Sequence, residues 1–247
     1  MNFTRIKEIL EILSRVGVDE VALESKESEE TGTNMTQVRG ASTDRQIVVH
    51  YTFDEDMLSG NSIGISALKP FLSRLNLFDM DKIKVTHTSQ PNGQVDQLTI
   101  KEGRRKITYR CYDIDYLGVP SQIPSNLSAD DKLEFDSERV LYWIKVGNSI
   151  IQTANEKVDA KVSFKYDSSE GKAVICIEDG GEDQYVEEIE LGTDLVETID
   201  RSVWSLLPFS KLMKEALAHG DQVRFGVTEN GVAIVRIKDI DIALSPL

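Results

Sequence analysis

The chain has little of what usually announces a chemistry. Its 247 residues include two cysteines and three histidines. His50, His87 and His219 are scattered, and no Cys or His pair has zinc-ligand spacing. There is no glycine-rich phosphate loop and no lysine that would complete one. These gaps lead us to expect no catalytic residue, no metal and no cofactor. Apolar runs stop after a few residues, far short of the ~20 that cross a bilayer. The opening MNFTRIKEIL reads as an amphipathic helix without a signal-peptide core. The expectation is a protein with no membrane partner, cytoplasmic, or nuclear if eukaryotic. Positive charge is scarce as well: 28 Lys and Arg face 42 Asp and Glu, a formal net charge of −14. A protein that simply coats nucleic acid is therefore disfavoured, because phosphate binding needs a positive surface.

What remains is ordinary globular material, 40% apolar and 28% charged. The length favours two domains over one core. Four segments carry helical periodicity. Residues 4–16 place Ile6, Ile9, Leu10, Leu13 and Val16 on one face, with Thr4 as N-cap and Gly17 as stop. Residues 66–78 place Leu68, Phe71, Leu72 and Leu75 together, with Ser66 as cap and Pro70 in the first turn. Residues 137–152 turn Val140, Ile144 and Ile151 inward behind Asp136 or Ser137, with Gly147 weakening the middle. Residues 208–219 present Phe209, Leu212, Met213, Ala216 and Leu217, and stop at Gly220.

Alternation of period two marks strands near 63–65, 83–85, 98–100, 107–112, 158–166, 173–177, 185–191, 223–227, 232–237 and 240–244, separated by turn signals such as Pro91-Asn92-Gly93, Asp179-Gly180-Gly181 and Asn230-Gly231. Cys111 and Cys176 sit in two such alternating runs, ITYRCYD and AVICIED, as reduced core residues. The order strand, helix, strand occurs twice: Asp81-Lys82-Ile83-Lys84-Val85 follows the second helix as Asp221-Gln222-Val223-Arg224-Phe225 follows the fourth. Between the copies lies the Pro- and Ser-rich GVPSQIPSNLSADD. The expected fold is α+β, two tandem copies of one domain with antiparallel sheets and two helices each: residues 1–117, a connector 118–131, and residues 132–247.

At that boundary, Tyr112-Asp113-Ile114-Asp115-Tyr116-Leu117-Gly118-Val119-Pro120 resembles the end of the first domain and start of the connector in the DNA sliding clamps, the family of proliferating cell nuclear antigen and the phage polymerase processivity clamps. There an acidic Asp-x-Asp stretch runs into Leu-Gly-Ile-Pro. Ala243-Leu244-Ser245-Pro246 is similar to the family's terminal Tyr-Leu-Ala-Pro. The chain departs from the family in a first strand before helix one that is absent or reduced to Met1–Phe3, in lacking an acidic tail, and in an unusually polar stretch at residues 24–45. The resemblance implies a non-enzymatic clamp-type fold that encircles double-stranded DNA and tethers a DNA polymerase, with a clamp loader as further partner and a ring-shaped homotrimer as the assembly.

It also implies site residues. Clamp helices line the central channel, and here they carry Arg5, Lys7, Arg15, Lys69, Arg74, Arg139, Lys145, Lys211 and Lys214 against Glu8, Glu11, Glu138 and Glu215, a positive balance in an acidic chain. The subunit edges would be Arg104, Arg105, Lys106 and Arg110 facing Glu187, Glu188 and Glu190. A partner peptide would be held by Leu117, Val119, Ala243, Leu244 and Pro246, with Ala41 and Ile47 nearby. Plainer readings stand beside each: solvated helix faces, charge-protected sheet edges and sealed core. Two rival functions also stay open. One is a monomeric polymerase accessory or single-strand-binding protein, hinted at by Tyr109, Arg110 and Tyr112. The other is a metal-dependent nuclease using carboxylates such as Asp54-Glu55-Asp56 or Asp113 and Asp115.

Overall fold

A computed structural model describes residues 2–28, 31–120, 133–153, 160–167, 172–179, 184–189, 202–228 and 230–247. The connector beyond Pro120, the start of the strand expected at 158, the turn at Gly180-Gly181, and Glu190 and Leu191 lie outside the described residues. The chain divides into two compact units, Met1–Gln122 and Ile123–Leu247.

The first unit opens with α1 (Phe3–Val16), followed by β1 (Glu20–Glu27), β2 (Asn34–Ala41), β3 (Ile47–Phe53) and β4 (Ser62–Ile65), then α2 (Leu68–Leu75) and β5 (Lys84–Ser89), β6 (Val95–Glu102) and β7 (Arg105–Arg110). Its sheets run β4-β1-β2-β3 and β5-β6-β7, with antiparallel ladders. The helix stripes follow the sequence pattern: Ile6, Ile9, Leu10, Leu13 and Val16 are buried in α1, and Leu68, Phe71, Leu72 and Leu75 in α2.

The caps differ from expectation. Asn2, not Thr4, caps α1, its Oδ1 accepting from the Arg5 N–H at 3.3 Å, and Gly17 ends the helix in the left-handed region at φ 107°. Helix α2 begins after Ala67 without a side-chain cap and closes at Leu75, so Ser66 does not cap it. Strands β1 and β2 overlap the polar stretch at residues 24–45, whose charges hide them, and β3 follows it in the run IVVHYTF. In β1, Val21 and Leu23 face the core while Glu20, Ala22 and Glu24 share the opposite face, an alternation masked by the charges.

The second unit repeats the plan and adds a leading strand: β8 (Leu133–Asp136), α3 (Ser137–Thr153), β9 (Lys161–Asp167), β10 (Lys172–Glu178), β11 (Gln184–Ile189), β12 (Val203–Ser205), α4 (Leu206–Leu217), β13 (Gln222–Val227), β14 (Ala233–Ile237) and β15 (Ile240–Leu244). Its sheets run β15-β14-β13-β8 and β11-β10-β9-β12. Asp136 caps α3, its Oδ1 accepting from the Arg139 N–H at 2.8 Å.

The buried stripe of α3 is Val140, Trp143, Gly147 and Ile150. Ile144 and Ile151 are only partly buried, a correction of one position in the expected period. Gly147 is a close approach, not a weak point: a Cβ there would lie 3.1 Å from Leu206 Cδ1 at the start of α4, so its absence lets the two helices of this unit pack. Helix α4 starts two residues before Pro208 and ends at Leu217, ahead of Gly220.

Candidate nucleic-acid interface

The basic residues of the four helices fall into two groups. In α1 the solvent face carries Lys7, Glu8, Glu11 and Arg15 and is charge-balanced. Arg5 Nη1 lies 2.9 Å from Glu8 Oε2 and Lys7 Nζ 3.5 Å from Glu11 Oε1, while Arg15 is exposed in the last turn. The solvent face of α3 is balanced too. Glu138 and Lys145 are exposed there beside Leu141 and Tyr142, which are 49% and 52% exposed. Arg139 turns away to meet Glu187 Oε1 at 3.0 Å.

Helices α2 and α4, which hold corresponding places in their units, differ from these. On α2, Lys69 and Arg74 are exposed, five residues apart and so flanking the solvent side, with Pro70 and Ser73 between them. On α4 the exposed stripe is Leu207, Lys211, Lys214 and Ala218, at the 4-3-4 spacing of one face. The nearby acid does not cancel it. Glu215 is buried on another side, its Oε1 3.0 Å from His219 Nε2. Among the described residues, no carboxylate forms an ion pair with Lys69, Arg74, Lys145, Lys211 or Lys214. A row of Lys and Arg on a helix attracts phosphate without reading base edges.

The expected subunit edges are edge strands within their sheets. Arg104 lies in the turn before β7, and Arg105, Lys106 and Arg110 are exposed along it. On β11, Glu188 is exposed and meets Lys172 at 3.0 Å. Glu187 is engaged internally: its Oε2 accepts from Trp143 Nε1 at 2.6 Å and from the Tyr185 hydroxyl at 2.8 Å. Burial and this carboxylate together hold the Tyr185 phenol above the usual tyrosine range. Edge charge on β11 is thus thinner than the sequence count suggests, and Val186, 52% exposed, contributes apolar surface instead.

Of the expected peptide-binding residues in the first unit, Leu117 and Val119 are buried against Ala22 and Ala41 on the outer face of β1 and β2. Residues with no sequence signal of their own seat this segment. Glu20 Oε2 accepts from the Gly118 N–H at 2.7 Å, Arg39 Nη1 donates to the Pro120 carbonyl at 3.3 Å, and Arg39 Nε donates to Glu24 at 2.8 Å. A Cβ at Gly118 would fall 2.8 Å from Glu20 Oε2, so the Glu20 side chain would have to shift and its bond to the Gly118 N–H would be disturbed. In the second unit Ala243 and Leu244 are buried in β15 and Pro246 is exposed. Of the rival carboxylates, Asp56 accepts from the N–H groups of Leu58 and Gly60, and Asp113 from that of Asp115, both as turn-closing groups.

No family model matches the chain, and no curated protein matches it by sequence. Solved structures do match it. The DNA polymerase III beta subunit of Borrelia burgdorferi superposes with a TM-score of 0.64 at 17% identity, over 100% of this chain and 64% of that one. The chain has the sliding-clamp fold. The Bartonella birtlesii sliding clamp gives 0.64 at 11% identity over 100% and 64%, and the Helicobacter pylori beta clamp, solved with a DNA ligase peptide, gives 0.58 at 14% over 100% and 65%. The chain spans roughly two thirds of the length of these clamps, 63 to 65%. Sliding-clamp architecture explains why one helix-and-sheet plan is used twice here. No helix among the described residues is long and apolar enough to cross a membrane.

Proposed function

We propose that this chain is a sliding clamp that encircles duplex DNA and holds a DNA polymerase on it as a processivity factor, without chemistry of its own. The observation that carries this reading is the pair of exposed cationic surfaces on α2 and α4, Lys69 with Arg74 and Lys211 with Lys214, in a chain of net charge −14 with the clamp fold. Lysine and arginine on helices contact phosphate oxygens weakly and without sequence preference, which suits movement along a duplex. An acidic remainder repels DNA from the other surfaces. Arg15 and Lys145 add to the DNA-facing set, and Arg5, Lys7 and Arg139 contribute less because carboxylates already hold them.

The assembly proposed is a head-to-tail homotrimer in which the β7 edge of one copy, with Arg104, Arg105, Lys106 and Arg110, adds to the β11 edge of the next, with Glu188 and Val186. Polymerase and other partners would be recognised through a short peptide, for which Leu117 and Val119 of the first unit and Ala243, Leu244 and Pro246 of the second are each candidate contacts, and a clamp loader would open the ring. The decisive experiment is retention on DNA. A clamp loaded on a closed circle stays bound through a high-salt wash and is lost when the circle is cut. Equal retention on circular and linear DNA would end the proposal. Sedimentation showing only monomer at micromolar concentration would remove the trimer, and a polymerase-derived peptide that leaves the Val119 and Leu244 amide resonances unmoved would remove the peptide site.

A further inference from the structure

The two units differ at one sheet edge. In the second unit β8 lies antiparallel on β13, with Phe135 opposite Val223, Glu134 opposite Arg224 and Leu133 opposite Phe225. Leu133 and Phe135 are buried by that pairing, and Arg224 Nε lies 3.3 Å from Glu134 Oε1. Strand β5 holds the place of β13 in the first unit, with Ile83, Lys84 and Val85 matching Val223, Arg224 and Phe225. Among the described residues no strand pairs with its outer edge, and β5 ends its sheet. Burial differs at the matching positions: Val223 and Phe225 are buried, whereas Ile83 and Val85 are only partly so.

Beside this open edge is a cavity of about 350 Å³ in which Phe3, Met80, Ile83 and Val85 stand beside the polar Asn2, Thr4 and His87, next to the start of α1 just as β8 adjoins the start of α3. On the other face of the sheet, Lys84 stands opposite Lys101, which stands opposite Lys106, a cross-strand row of three exposed lysines. Like charges side by side on one sheet face repel, and a carboxylate added at the edge relieves them.

We propose that the β5 edge is a docking site for an extended segment of a partner protein in which two apolar residues flank a carboxylate. The segment adds antiparallel to β5. Its apolar side chains enter the cavity against Ile83, Val85 and Phe3, and its carboxylate meets Lys84, as Leu133, Phe135 and Glu134 do in the second unit. Main-chain hydrogen bonds supply the affinity and the alternation supplies the specificity. The test of this site does not depend on the clamp reading.

The test uses the full chain and a synthetic peptide of residues 131–137, which carries the Leu-Glu-Phe pattern. Saturable amide shifts at residues 83–89 and at the start of α1 are expected. Lys84→Glu, at an exposed position, weakens binding about two- to fivefold, the worth of one exposed ion pair. A peptide carrying Glu134→Lys recovers that loss on the Lys84→Glu protein. Val85→Asp weakens binding more than Lys84→Glu. Absence of shifts in β5, shifts confined to β13 because the peptide displaces β8, or a charge swap without recovery would each overturn the proposal. So would β5 resonances that change with protein concentration alone as the particle mass rises, which would make the edge a contact between copies.

Discussion

The two units build one architecture around different interiors. The core of the first is mainly aliphatic, with Ile6, Leu10, Leu13, Val21, Leu23, Ile63 and Leu75 fully or almost fully buried and Phe71 edge-on to Tyr109 at 4.7 Å. The second is organised by rings: Phe164 stands within 6.5 Å, centroid to centroid, of Phe135, Trp143, Trp204 and Phe225. Aromatic cores bring polar atoms inside with them. Trp204 Nε1 needs the Gly231 carbonyl at 3.0 Å, and Trp143 Nε1 needs Glu187 at 2.6 Å. The aliphatic side chains of the first core bring no polar atom inside, and its buried Tyr109 is hydrogen-bonded with Ser66. The contrast teaches that spacing and volume define this fold, while the choice of side chain decides which outside residues become obligatory.

The sharpest way to break that symmetry is to empty each core at one point. Trp204→Ala removes a side chain with no exposure, together with its hydrogen bond, and is expected to destabilise the second unit by about 3–5 kcal/mol. Leu13→Ala should cost the first unit about 2–5 kcal/mol with no polar group left unsatisfied. Hydrogen exchange read unit by unit under rising denaturant separates the two, and loss of protection confined to the other unit would contradict this account.

Next in size is Gly147→Val, which forces α3 away from Leu206 and is expected to cost about 1–3 kcal/mol by urea unfolding. Substitution of exposed Ser73 on α2 should change stability little.

For DNA, the paired variants Lys69→Ala with Arg74→Ala and Lys211→Ala with Lys214→Ala should each reduce the slope of log binding against log salt by about 2. Lys7→Ala should change it less, since Glu11 is 3.5 Å away. Equal effects from all three would merge the helix classes separated above.

Smallest are the caps. Asn2→Ala and Asp136→Ala should each cost about 1 kcal/mol. The loss at Asp136 is expected to be the greater, because its bond is 2.8 Å against 3.3 Å at Asn2. Thermal unfolding of the two variants side by side decides the order.

Much of this architecture was legible in the residue pattern, and the losses have physical reasons. Helical stripes in α1, α2 and α4 were readable because each buries a wide apolar face. In α3 the sequence period points one position away from the buried stripe. Leu141, Tyr142, Trp143 and Ile144 are consecutive and apolar, and only packing distinguishes the buried Trp143 from the exposed Tyr142.

Strands β1 and β2 are hard to see in the sequence because one face carries Glu20, Glu24 and Arg39. Those charges look like loop residues until the chain at Gly118 and Pro120 lies across them. The cationic residues of the helices could be listed from sequence, but sorting them needed the carboxylate positions. Glu215 and Lys214 are adjacent in sequence yet lie on different sides of α4. Glu187 read as a free edge charge because no local pattern reports that an indole 44 residues away has claimed it.

That indole has a practical use. The protein has two tryptophans, and one of them is hydrogen-bonded to the strand proposed to join neighbouring copies. With Trp204 changed to Phe, the remaining fluorophore would sit at the back of that strand, its emission governed by a carboxylate only 2.6 Å away. A single wavelength scan could then follow opening and closing of the assembly without any attached dye.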